Sequence, residues 1–198
     1  MKLFAATSLL LGGALCLSAE YKASDRANLV RHLETSRSIV AVALEGMTAE
    51  QSNFKPDSKV WSPTEIVEHL VLIEDFLVGI LNQAIEKGKP VPDTEKLPDP
   101  SELDAAILRS VPDRTQKAQA PEQGIPKGNY RHWEEAFTEF SARRIKTIEF
   151  VQKTKVDLRR YRLETPMGPM DGHQWLLFLA AHTERHQNQI AEARGHEL

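Results

Sequence analysis

Three histidines stand inside the apolar stripes of two amphipathic segments, and this placement restricts the folds open to the chain more than any other feature. Over residues 171–194 the apolar residues Trp175, Phe178, Leu179 and Ile190 recur at helical spacing. An offset of four residues turns a helix by about 40°, so His182 and His186 project from that same face. Over residues 63–86 the stripe is Ile66, Ile73, Leu77 and Ile80, with His69 at its edge. An imidazole aimed at a core needs a partner, because a buried polar group without one costs roughly 2–7 kcal/mol. Two side chains at i, i+4 and a third from a facing helix can give three nitrogens to one metal ion and leave a coordination position open. The competing explanation is a hydrogen-bonded core cluster without metal.

Local signals supply the helices that such a cluster requires. Ser24 is expected to cap a first helix reaching Glu45, with Leu29, Leu33, Val40 and Leu44 inward and Gly46 at its end. Thr48 and Gln51 form a capping-box pattern for a short turn of helix. Ser62, Pro63 and Glu65 open the next helix as cap, first position and returning carboxylate. That helix should run to Lys87, where Gly88 and Pro90 stop it. Two Pro- and Gly-bearing stretches, 88–100 and 111–128, flank a brief helix over 101–110. A long helix is expected over 130–153, with Trp133, Phe137, Phe140, Ile148 and Val151 inward. Asp171 caps the last helix, with Gln174 in the box position. With no strand pattern and no internal repeat, the predicted fold is all-α, a four-helix bundle with long irregular connections.

The chain of 198 residues is 41% hydrophobic and 27% charged, and its net charge of -3 gives no reason to expect capture of nucleic acid or an anionic membrane. Lys2 precedes an apolar run from Leu3 to Leu17, and Leu17-Ser18-Ala19 offers small residues before Glu20. This pattern reads as a secretory signal peptide over 1–19, with a single domain over 20–198; an uncleaved amphipathic arm is the alternative. Cys16 is the sole cysteine, and Leu15 is the wrong residue before it for lipid attachment. Removal of 1–19 leaves a protein with no disulfide and no thiol, exported to a periplasmic or extracellular compartment.

Several chemistries lack their residues. There is no phosphate-cradling glycine loop and no Gly-x-Ser-x-Gly elbow. Thr183, not Glu, follows His182, so the His-Glu-x-x-His arrangement of zinc proteases is missing. Glu65, one turn before His69, is either a further ligand, a hydrogen-bond acceptor behind a ligand, or the cap of its own helix. His173 precedes His182 by nine residues and falls on the opposite face, outside the expected ligand set. His32, His132 and His196 read as solvated. Trp61, Trp133 and Trp175 suit a core or a pocket wall, and Trp175 lies two turns before His182 on the same face.

Trp61-Ser62-Pro63-Thr64-Glu65-Ile66-Val67-Glu68-His69-Leu70 resembles the start of the second helix in the DinB-like (YfiT-type) superfamily. His182-Thr183-Glu184-Arg185-His186-Gln187-Asn188-Gln189-Ile190 resembles the last-helix signature of that superfamily. The order of the two motifs is more specific than either alone, and the similar parts extend from about Ala23 to Arg194. The resemblance implies a four-helix bundle in which His69, His182 and His186 bind one divalent metal, zinc or nickel. It implies no DNA binding. Its members include thiol-dependent transferases and isomerases and proposed hydrolases, and dimers are common among them, so a homodimer acting on an unidentified small molecule is expected here. A signal peptide departs from the cytoplasmic members and weakens any transfer of their thiol substrates. No side chain stands out as a general base, and a non-catalytic metal- or ligand-binding bundle is the alternative function.

Overall fold

A computed structural model describes residues 20–195; the expected signal peptide, Cys16 and His196 lie outside the described residues. The helices are α1 (Ala23–Leu44), α2 (Ala49–Asn53), α3 (Pro63–Lys87), α4 (Ser101–Ser110), α5 (Trp133–Lys153) and α6 (Gly172–Gly195). α5 and α6 each pack against both α1 and α3, which places α1 and α3 at opposite corners of a four-helix bundle. α4 lies against α6. No helix among the described residues is long and apolar enough to cross a membrane.

The capping boxes form as their sequences require. Ser62 Oγ accepts from Glu65 N at 3.2 Å, and Glu65 Oε2 accepts from Ser62 N at 2.8 Å. Thr48 and Gln51 exchange the same pair of bonds, as do Asp171 and Gln174. Each box satisfies two backbone donors that a helix start otherwise leaves unpaired.

Two helix starts and one connection differ from expectation. α1 begins at Ala23 without a side-chain cap, so Ser24 does not serve as one. The chain is steered there by tertiary bonds instead. The Tyr21 hydroxyl is hydrogen-bonded to buried His173 Nδ1 at 2.5 Å, and Arg26 donates to the carbonyls of Val151 and Thr154 at the end of α5. α5 begins at Trp133 rather than near Tyr130, with His132 before it in extended backbone; further upstream, the backbone N–H groups of residues 127–129 turn toward the Glu68 carboxylate. Residues 162–163 and 170–171 form a two-residue antiparallel ladder, β1 (Arg162–Leu163) with β2 (Met170–Asp171), where no strand was expected. Strands this short carry no alternation to read. The turn between them closes through Gly168, whose φ of +101° suits only glycine.

The core has two apolar parts separated by a polar layer. One part gathers Leu29, Leu33, Leu77, Leu81, Val151 and Leu176; the other gathers Val40, Leu44, Ile66, Leu70, Phe140 and Ile190. Between them along the helices lie Ser36 (α1), Glu74 (α3), Arg144 and Thr147 (α5), and Thr183 (α6). All are buried. Arg144 Nη2 and Nε donate to the Glu74 carboxylate at 2.7 and 2.9 Å. Its remaining donors reach Ser36 Oγ at 2.6 Å and Thr183 Oγ1 at 2.8 Å, and Thr147 Oγ1 donates to Glu74 Oε1 at 2.7 Å. Every bundle helix therefore contributes to one hydrogen-bonded group.

Removing one member of a buried ion pair strands the other charge, at a cost of about 3–5 kcal/mol. Glu74→Ala should therefore lower unfolding free energy by about that amount in urea titrations. The joint exchange Glu74→Leu with Arg144→Met should recover much of the loss. A cost below about 1 kcal/mol for Glu74→Ala would show that the pair does not organise the core.

Candidate metal centre

His69 reaches the interior because the Ser62 cap fixes where α3 starts, and His69 then falls on the face turned toward α6. His182 and His186 face it from α6. His182 Nε2 lies 3.5 Å from His69 Nε2 and 3.2 Å from His186 Nε2. One ligand atom from each of the three lies within 4.8 Å of the others. Two nitrogens bound at about 2.0–2.1 Å to one tetrahedral ion lie roughly 3.3–3.4 Å apart, so the two measured separations bracket the spacing a metal would impose.

The outer ring nitrogens indicate why those inner atoms need a cation. His69 Nδ1 donates to the Gly124 carbonyl at 2.5 Å, which commits its proton and leaves Nε2 with a bare lone pair. His186 Nδ1 donates to Gln189 Oε1 at 2.9 Å, with the same consequence. His182 Nδ1 is buried without a hydrogen-bond partner among the described residues. With the protons of His69 and His186 held on the outer side, these two rings turn lone pairs toward His182 Nε2. Such pairs repel unless a positive charge stands between them, so the donor set fits a divalent metal ion.

Burial keeps all three rings neutral. It pushes His69 down to about 4, against a smaller upward pull from the Gly124 carbonyl. It pushes His182 down to about 3, helped by His69, Arg185 and Arg144. His186 is lowered well below 6.5, first by burial and then by its two histidine neighbours. His182 is half-buried, whereas His69 and His186 are buried. The neutral form is the one that can ligate.

Aromatic rings wall the cluster. Trp61 lies 4.8 Å from His69 and 6.4 Å from His186, ring centre to ring centre. Phe178 lies 5.8 Å from His182 and rests on Trp175 at 5.9 Å. Trp175 therefore backs the wall instead of forming it, and its indole N–H donates to the Leu77 carbonyl.

Glu65 is occupied by the Ser62 cap and by Lys55 at 2.9 Å, and it is not part of the metal-capable group. His173 is buried at the other end of α6, bonded to Tyr21 and 4.0 Å from Asp104. Glu184 and His132 are exposed, and His32 is half-buried. Gly124, Gln189 and Glu68 escaped the sequence reading as parts of this region. Gln189 was accessible to it, standing one turn after His186. Gly124 was not, since nothing in a Pro- and Gly-rich connection marks which carbonyl will face a ring.

The DinB superfamily matches residues 32–190. The chain belongs to the DinB superfamily. Among relatives of this DinB superfamily chain, the uncharacterized protein YuaE of Bacillus subtilis (strain 168) is 24% identical over 152 residues. That alignment covers 76% of this chain and 88% of the relative. No solved structure gives a significant match.

Two outcomes are expected of the centre. Alanine at His69, His182 or His186 should each sharply lower bound metal measured by elemental analysis, while His173→Ala should leave it unchanged. Retained metal in His69→Ala would rule out a site shared between α3 and α6.

The second outcome concerns pH. With folded values of about 4 and 3 for His69 and His182, protons compete for these nitrogens only well below 6.5. Zinc affinity at pH 5.5 should then stay within a few-fold of that at pH 7.5. Three ordinary histidines titrating near 6.5 would lose roughly 1000-fold over that range, and a loss of that size would contradict the burial argument. Folding stability of the metal-free protein should behave oppositely to affinity. Because the unfolded rings bind protons first, stability should fall as pH drops from about 6.5 toward 4. Urea midpoints across that window measure it.

Proposed function

We propose that this chain is an exported, metal-dependent hydrolase or transferase that holds one zinc or nickel ion on His69, His182 and His186. The observation that carries the reading is the convergence of three neutral imidazoles with no carboxylate in the metal-capable group. Three nitrogen ligands leave a tetrahedral ion one position for solvent or substrate. When bound, the ion would supply a Lewis acid and lower the pKa of a water ligand toward about 7.

The rest of the work falls to the protein's own groups. Gly124 and Gln189 hold protons on the outer nitrogens of His69 and His186 and so aim the inner ones. Trp61 and Phe178 shield the cluster from bulk water, which strengthens electrostatic interactions inside. The nearby carboxylates are engaged elsewhere: Glu65 at its cap, Glu68 on a loop, and Glu74 on Arg144. With these carboxylates engaged, the arrangement favours reactions that the metal itself can initiate.

Deep burial of His69 and His186 also suits a non-catalytic metal-holding bundle, and one experiment separates the two. Cobalt-substituted protein should change its visible absorption when azide or a small thiol is added, as an open position requires. A spectrum indifferent to both would mean a closed site and favour the non-catalytic alternative. Export rests on the pattern of residues 1–19. Intact-mass measurement of protein from the native host should find a chain starting near Glu20; recovery of the full-length form in the cytoplasm would overturn it.

A further inference from the structure

Glu68 immediately precedes His69 and is 1% exposed, yet no cation neutralises it among its hydrogen-bond partners. Its carboxylate instead accepts from the backbone N–H groups of Lys127 and Gly128 at 3.0 Å each and of Asn129 at 3.2 Å. Asn129 Nδ2 adds a bond of 2.7 Å. A backbone that turns through a left-handed residue can converge successive N–H groups on one anion, and Gly128 supplies such a residue with φ of +73°. Among the described residues nothing lies within 4 Å of where a Cβ on Gly128 would stand, so glycine is needed there for its backbone and not for space.

The same connection carries Gly124, whose carbonyl accepts from His69. Two neighbouring residues of α3 thus grip one loop at two places, Glu68 at 127–129 and His69 at 124. The fit at Gly124 is close. An added Cβ would stand 2.7 Å from Ile73 Cδ1 and 3.1 Å from the His69 ring. The loop therefore has little room to shift without moving the carbonyl that orients His69. A carboxylate held by several N–H donors is a stronger tether than a single neutral bond.

We propose that Glu68 is a positioning residue for the metal centre: by gathering the N–H groups of residues 127–129 it holds the Gly124 carbonyl against His69 and fixes that ring with Nε2 facing the other two histidines. The proposal rests on the metal-binding reading above and adds to it a residue that touches no metal. Partners behind a ligating histidine typically govern about 10–100-fold in metal affinity, which is the range expected here.

The test pairs two variants with two readouts in the full chain. Glu68→Gln keeps the shape but turns an amide NH2 toward donors. Gly128→Val leaves Glu68 in place but disfavours the left-handed backbone that the convergence needs. Val151→Ala, in the distant part of the core, is the control for a general loss of stability. Nitrogen-15 NMR of the metal-free protein reads the His69 tautomer, and competition with a chelator reads the zinc dissociation constant. Both variants should lose the single Nδ1–H form of His69 and bind zinc at least tenfold more weakly, while Val151→Ala retains both properties. An unchanged tautomer in both variants, or zinc affinity within twofold of wild type in both, would overturn the proposal. Because the tautomer is read without metal, it judges Glu68 separately from the metal reading, which fails instead if the wild-type chain itself does not bind zinc.

Discussion

The buried pair of Arg144 and Glu74 is the interaction on which the arrangement of the bundle depends. Apolar stripes alone would let helices slide, since one leucine contact resembles the next. A guanidinium with several directed donors does not slide. It must find Glu74 on α3, Ser36 on α1 and Thr183 on α6 together. Such a group adds little net stability over a well-packed apolar replacement, but any misregister that leaves one charge unpaired costs several kcal/mol. Its value is therefore to select one alignment of α3 against α6.

That alignment sets the histidines. Thr183 is the immediate neighbour of His182, and Glu74 follows His69 on the same helix by five residues. Fixing the polar layer brings the three inner nitrogens into register across the α3–α6 interface. Finer placement then comes from the outer nitrogens, through Gly124 and Gln189. His182 lacks such a partner among the described residues and depends on its position beside Thr183 and on packing against Phe178. The rings are held neutral by the same burial that makes their convergence costly without a cation.

Much of this was legible in the residues. Helical spacing identified the faces of α1, α3 and α6, and the boxes at Thr48, Ser62 and Asp171 marked three helix starts, because a cap is a contact within four residues. His69, His182 and His186 were identifiable because imidazoles in an apolar stripe are anomalous, and the order of two motifs agreed with them. The parts that escaped depend on residues far apart in the chain. Tyr21 meets His173, Glu68 meets residues 127–129, and Arg144 meets three other helices. Nothing local to Ser24 says that its cap is superseded, and nothing local to Glu68 says that its charge turns inward. Charged residues at stripe edges read as solvated until their partners are known.

X-ray absorption spectroscopy of the zinc-loaded chain tests the centre most directly, because it reports ligand type and distance together. The expected spectrum has about three nitrogen scatterers near 2.0–2.1 Å with the multiple scattering of imidazole, and further light-atom scattering from solvent. Loss of the imidazole pattern in His69→Ala and in His186→Ala alike would tie it to both helices. A wild-type spectrum without imidazole scattering, or one fitted by carboxylate oxygens alone, would contradict a centre built from His69, His182 and His186.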